Sequence, residues 1–233
     1  MMRKGIRGTL PEDAVSLKSA WNRARKEARY HGWGAAAQVL FLGILRKFMR
    51  LERVHLFSFT TPPAAGTFSV VETRLATWEE IEQLRRNDTC DMKDLSQAEI
   101  GHARASGHEC IVNVLDASII GYSWMAPDII RIRELGIQIE LRPDEVHIYK
   151  GFTFPQARGR NVGINRYLFW IRHVQTLGRA VLVSDYAFDN KSTLTRARKL
   201  NMTCIGSGTL IGVGSFQRLF VSGEMANRKV TPL

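Results

Sequence analysis

Residues 155–164 read PQARGRNVGI. The ten residues before them, EVHIYKGFTF at 145–154, are rich in β-branched and aromatic side chains and read as a strand. The thirteen after them, NRYLFWIRHVQTL at 165–177, carry apolar residues at helical spacing. A strand, a short basic turn with glycines and a helix set consecutive N–H groups around one point. The helix dipole favours an anion there by up to about 1 kcal/mol, and Arg158 and Arg160 add charge on the rim. Asn161 stands where such a turn more often has glycine. Glycine is used because it tolerates positive φ, and asparagine is the side chain that most readily does the same. Asn201, at the end of a later helix, reads as the same exchange.

Working outward, FSVVETRL from Phe68 reads as a strand, and Thr77 with Glu80 and Ser96 with Glu99 form capping boxes that open two short helices. ECIVNVL and SIIGYSWM, joined by Asp116-Ala117, read as an antiparallel hairpin. IRIRELGIQIEL and EVHIYKGFTF read as a further pair, broken at Arg142-Pro143-Asp144. AVLVSDY reads as a buried strand, NKSTLTRARKL as a helix, and short strands around 203–205 and 215–221 follow. The order β-α-α-β-β-β-α-β-α-β-β gives a mixed α/β (α+β) fold. Upstream, two helices are expected, the second from about Ala35 to Arg53, so residues 1–60 form a basic helical N-terminal extension. TTPPAAG at 60–66 marks a linker, bounded at 61–67, and residues 68–233 form the main domain.

An apolar fraction of 45% is enough to build a core and excludes a disordered chain. The net charge of +11 is uneven: residues 1–55 hold 12 Lys/Arg against 4 Asp/Glu. Such a patch attracts polyanions. Trp21, Trp33, Phe41, Phe48 and Met49 among these charges suit an anionic membrane surface or an acidic acyl carrier protein, with nucleic acid a weaker alternative. Packing on the chain's own domain is the plainer reading. Three scattered cysteines without metal spacing argue for a reducing compartment and against a metal site. The first fifteen residues lack the apolar core of a signal peptide. The run Trp33–Leu45 falls short of the roughly 20 residues a membrane span needs. A cytoplasmic protein is expected, peripheral to a membrane at most. Homodimerisation stays open.

The turn RGRNVG at 158–163 resembles the Q/R-x-x-G-x-G/A signature of the GNAT superfamily of acyl-CoA-dependent N-acyltransferases, with Asn161 in place of its first glycine. A second region agrees: VLVSDYAFDN ends in Asn190, and KLNM at 199–202 stands where K-L-G-F is common. The resemblance covers roughly residues 68–222. It implies a mostly antiparallel central sheet flanked by helices, acetyl-CoA or a longer acyl-CoA as donor, no metal, and direct transfer of the acyl group to the amine of a small-molecule acceptor. The cofactor would lie between strands 145–154 and 180–186. Its pantetheine would pair with backbone near Phe152, Thr153 and Phe154, its diphosphate would sit on Arg158, Gly159, Arg160, Asn161, Val162 and Gly163, and Asn190 would add a side-chain contact. A donor held on a carrier protein, or a binding module of this fold without turnover, are the alternatives.

The attacking amine must be neutral, so a base is useful. Strict alternation on 145–154 sets Val146, Ile148, Phe152 and Phe154 on one face and His147, Tyr149 and Thr153 on the other. His147, whose imidazole changes charge near neutral pH, is one candidate base, Glu145 the other, and a core histidine bonded to backbone the bland alternative. Tyr149 and Tyr186 complete the set, Tyr186 because Ala197 occupies the position at which the family resemblance implies a tyrosine acid.

Overall fold

The computed structural model describes residues 4–5, 49–60, 71–87, 90–213 and 216–233, together with scattered helical positions between 21 and 41. Strands β1 (Lys4–Gly5) and β2 (Arg50–Phe59) precede β3 (Glu72–Leu75). Helices α1 (Trp78–Arg85) and α2 (Gln97–Ala105) lead to β4 (Glu109–Leu115), β5 (Ser118–Ala126), β6 (Ile129–Ile132) and β7 (Ile137–Glu140). Next come β8 (Glu145–Thr153), α3 (Val162–Thr176), β9 (Val181–Ala187) and α4 (Lys191–Lys199). Strands β10 (Thr203–Val213), β11 (Phe216–Gly223) and β12 (Val230–Pro232) follow.

Nine strands form one sheet in the order β1-β11-β10-β2-β9-β8-β5-β4-β3, and β12-β7-β6 form a small second sheet. Within the large sheet β8 and β9 run parallel and the other neighbours antiparallel. The fold is therefore mixed α/β with a mostly antiparallel sheet. Both capping boxes form, Thr77 with Glu80 and Ser96 with Glu99. Asp116 and Ala117 take φ of 49° and 59°, the left-handed pair that a two-residue hairpin demands.

Four local readings change. The helix expected to reach Arg53 gives way at Arg50 to β2, which stands in the sheet between β9 and β10. Its side chains alternate with period two: Val54 and Leu56 pack in one core, Phe57 and Phe59 in another. The linker 61–67, Phe48 and most of the N-terminal segment lie outside the described residues, but Trp21, Trp33 and Phe41 are exposed. IRIRELGIQIEL is itself a hairpin, β6 turning into β7 at Gly136 with φ 64°, and it pairs with β12 rather than with β8. β10 and β11 are longer than expected.

The fourth change is in β8. Tyr122 pairs with Phe152 and Trp124 with Tyr149, so Ser123 alone faces both Lys150 and Gly151, and Lys150 takes φ 44°. This is a β-bulge, and one extra residue reverses the alternation beyond it. Phe152 and Phe154 consequently pack with Tyr149, Tyr122 and Trp124, while Val146 and Ile148 pack beneath α3 with Trp170, Ile171 and Val174.

At its start β8 is fastened by a buried pair. Glu145 receives both guanidinium nitrogens of Arg228 at 2.5 and 2.6 Å and the N–H of Arg142 at 2.9 Å. Burial alone would raise the Glu145 carboxyl, but these donors outweigh it and hold it below its usual range. The pair therefore stabilises the fold above the unfolded pKa of about 4.3, and that contribution is lost as pH falls through the lower folded value. Glu145→Gln is expected to cost about 2–4 kcal/mol in urea unfolding at pH 7, because it removes the buried anion of Arg228 and leaves that guanidinium only the more exposed Glu224 at 3.2 Å. The difference between variant and wild type should shrink as the pH is lowered below 4.

Candidate active site

The sheet opens where β8 meets β9. Glu145, Val146 and His147 pair with Val181, Leu182 and Val183, and the pairing stops there although the strands continue to Thr153 and Ala187. The last link is a side chain: Ser184 Oγ donates to the carbonyl of Ile148 at 3.1 Å. A bulged strand bends and twists more strongly, which carries β8 away from its neighbour. A cavity of about 860 Å³ fills the opening, bounded by Ile148–Gly151, Asp185–Ala187, and residues of α2, α3 and α4.

One group of lining side chains brings imidazole, carboxylate and phenol groups into contact. His147 is 3% exposed, its Nε2 lies 2.7 Å from Asp185 Oδ1, and its ring stacks on Tyr149 at 5.5 Å between centroids. A carboxylate only accepts, so Nε2 donates, and in the neutral imidazole Nδ1 is then the nitrogen with the lone pair. Tyr149 shares a hydrogen bond of 2.8 Å with His108 Nδ1, and His108 Nε2 is 3.6 Å from Asp128. Burial raises the Tyr149 hydroxyl well above its usual range and lowers His108, against the pull of Asp128. Tyr149 therefore stays a neutral phenol in this setting.

The second group carries positive charge. Arg166 is 2% exposed and donates from Nη1 to Asn113 Oδ1 and the Phe152 carbonyl, and from Nη2 to Thr153 Oγ1, at 2.8–2.9 Å. Arg196 lies over the rings of Tyr167 and Tyr186, and its Nε is buried without a partner. Beneath it Tyr186, Tyr167 and Ser184 form a hydroxyl chain with links of 2.6 and 2.7 Å. Because Ser184 donates to Ile148, the chain runs one way: Tyr186 donates to Tyr167 and Tyr167 to Ser184.

Of the candidates read from sequence, His147, Tyr149, Tyr186 and Asn190 line one cavity. Glu145 does not, being held by Arg228. The side chains of Phe152 and Phe154 face the core around Tyr122. The backbone expected to meet a pantetheine already has partners here: the Phe152 carbonyl accepts from Arg166, the Thr153 carbonyl from Arg158, and the Phe154 N–H donates to the Ile120 carbonyl, while Thr153 Oγ1 accepts from Arg166. Asn190 caps α4, its Oδ1 accepting from Thr193 N and Ser192 Oγ, which leaves its amide nitrogen to reach a ligand. At the turn Gly159 and Asn161 have φ of 84° and 56°, and Asn201 has 52°, the left-handed geometry for which asparagine substitutes. Val162 and Gly163 open α3, where N–H groups have no helical acceptor. Arg158 donates from Nε to the Thr153 carbonyl at 3.2 Å. Ala197 is buried in the core. Asp185, Arg166 and Arg196 were not singled out by the sequence reading. The signal for Asp185 was a lone charge inside the apolar run AVLVSDY. Among the described residues no three His, Cys, Asp or Glu side chains gather as a metal site.

No protein-family model and no curated protein matches the chain. Solved structures resemble it at low identity. One is a functionally unknown conserved protein from Staphylococcus epidermidis, with a TM-score of 0.49 and 8% identity over 92% of this chain and 82% of that one. Another, described as an acetyltransferase of the GNAT family from Novosphingobium aromaticivorans, gives 0.46 and 13% over 75% and 66%. A third, an IAA acetyltransferase from Bacillus cereus, gives 0.40 and 17% over 55% and 74%.

The turn makes its own test. Asn161→Gly should leave stability within about 1 kcal/mol, whereas Asn161→Val should cost about 1–3 kcal/mol, since a β-branched residue is strained at φ 56°. Urea unfolding of the two variants checks both values.

Proposed function

We propose that the chain is a GNAT-type N-acyltransferase that moves an acyl group from acetyl-CoA or a longer acyl-CoA to the amine of a small molecule. The observation that carries this reading is the parallel pair β8–β9 coming apart at His147 above a cavity, with the left-handed basic turn 158–163 opening α3 beside it. A diphosphate on the turn and a pantetheine arm along the freed backbone of β8 would place a thioester near the bulge at Lys150. There the amine nitrogen attacks the thioester carbonyl, the C–S bond breaks, and the amine's proton passes to His147 Nδ1. Asp185 holds the imidazole through Nε2 and stabilises the imidazolium that results.

A second reading has a specific observation behind it. Ala197 offers no proton, Tyr186 spends its own on Tyr167, and the neutral Tyr149 phenol shares its hydrogen bond with His108, so each tyrosine hydroxyl lining the cavity already has a partner. That favours a domain that binds acyl-CoA without turnover. The exposed Trp21, Trp33 and Phe41 on a basic segment support docking of an acidic carrier protein or a membrane surface as the role of residues 1–60.

Titration calorimetry with acetyl-CoA, followed by a thiol-release assay against a panel of amines, tests the proposal. Binding and turnover are expected, with His147→Ala lowering the rate by on the order of 10²–10⁴ and Asp185→Asn lowering it in the same sense and altering its pH profile. Absence of binding at millimolar acetyl-CoA would sink the assignment, and binding without thiol release would favour the module that does not turn over.

A further inference from the structure

Lys150 stands at the bulge of β8 with φ 44°. An L-residue in the left-handed region costs roughly 1–2 kcal/mol, and glycine or asparagine takes such a position with less strain. A lysine there carries a side chain that the backbone alone does not favour, and outliers of this kind cluster at sites that use the side chain. The ammonium reaches from β8 to the segment before α2, where Nζ donates to the Asp91 carbonyl at 3.2 Å, and both residues line the cavity. The Asp91 carboxylate itself accepts from the Tyr122 hydroxyl. Among the described residues Lys150 has no carboxylate partner, so two of its three N–H donors remain for a ligand.

The other cation at the bulge is already engaged. Arg166 Nη2 is 4.0 Å from where a Cβ on Gly151 would sit, but its guanidinium donates to Asn113 Oδ1, the Phe152 carbonyl and Thr153 Oγ1. The spare cationic donors at this point therefore belong to Lys150. Tyr149 and His147 on the same strand, Asp185 on β9 and Glu134 after β6 share the cavity with it. Elsewhere on the wall Glu99 pairs with Arg133 and His102 with Arg131.

Within the acyl-CoA reading, on which this inference rests, the thioester lies at this bulge. The amine nitrogen bonds to the carbonyl carbon, the C–S bond breaks with its electron pair going to sulfur, and the amine's proton goes to His147. We infer that the Lys150 ammonium pairs with the departing thiolate, so that the sulfur leaves as an anion held by a cation and not as a thiol protonated by a tyrosine. Ordinary acidities set the direction. A thiol loses its proton near 8.5 and an ammonium near 10.4, so the lysine keeps its proton and contributes charge. A hydroxyl at the position of Ala197 is then not required.

The test is titration calorimetry of the full chain with CoA and with desulfo-CoA, which lacks the sulfur, at pH 7 and pH 9. A cation beside the bound thiol lowers its pKa, so the advantage of the thiolate is small below that lowered value and grows as pH rises towards the value of the free thiol. In the wild-type protein the affinity for CoA relative to desulfo-CoA should rise about threefold or more, corresponding to a thiol made about tenfold more acidic. Lys150→Asn, whose side chain suits φ 44°, should unfold at no lower a urea concentration and bind desulfo-CoA within about twofold of wild type, with no such rise. Lys150→Arg should keep the rise, because it keeps the charge. In the thiol-release assay Lys150→Asn should lower kcat on the order of 10²-fold and Lys150→Arg by less than about tenfold. A wild-type ratio that does not change with pH overturns the inference, since desulfo-CoA senses the same neighbouring groups and cancels them. A rate in Lys150→Arg as low as in Lys150→Asn also overturns it, assigning proton donation to the lysine. If neither ligand binds, the acyl-CoA reading itself falls, and the inference with it.

Discussion

A parallel strand pair that stops pairing inside a sheet exposes backbone donors and acceptors that would otherwise be satisfied, and the rest of this molecule is arranged around that opening. Buried N–H and C=O groups rarely go without partners. β8 and β9 meet for three residue pairs and then diverge. The Ile148 carbonyl is met by Ser184 Oγ, and the Phe152 carbonyl by Arg166. Remaining edge groups face the cavity, where water or an extended ligand can meet them. The bulge at Lys150 bends β8 outward, and the Glu145–Arg228 pair fixes the other end of the same strand.

Charge is sorted across this opening. His147, Asp185, His108 and Tyr149 are joined by hydrogen bonds and ring contacts, and Arg166 and Arg196 both approach Gly163. The hydroxyl chain Tyr186–Tyr167–Ser184 runs beneath Arg196, oriented by the one carbonyl that accepts at its end. In a low-dielectric cavity such interactions are stronger than in water, and an unpaired member costs correspondingly more.

What the sequence disclosed was local. The turn at 158–163, the left-handed Asn161 and Asn201, the capping boxes and the Asp116-Ala117 hairpin each depend on a few adjacent residues, and each took its expected backbone form. What it concealed depended on distant partners. The faces of Phe152 and Phe154 were reversed because a one-residue bulge leaves no mark in EVHIYKGFTF. Arg50–Arg53 read as the end of a basic helix, although β9 and β10 flank the strand that these residues begin. Arg196 in KSTLTRARK carried no distinguishing signal within a helix, and only the fold laid it over Tyr167 and Tyr186. Glu145 looked available until Arg228, 83 residues further on, closed over it.

Helix α3 has a further consequence. Across the opening the large sheet is two half-sheets, β1-β11-β10-β2-β9 and β8-β5-β4-β3, sewn by a three-residue seam. The core under α3 draws on both, with Leu182, Tyr186 and Phe59 from one half and Val146, Ile148, Met125 and Ile111 from the other. α3 therefore acts as a splint, and cooperativity between the halves passes through it. Since the same helix begins at the basic turn, occupancy of the turn and the mechanical unity of the sheet are two readings of one element.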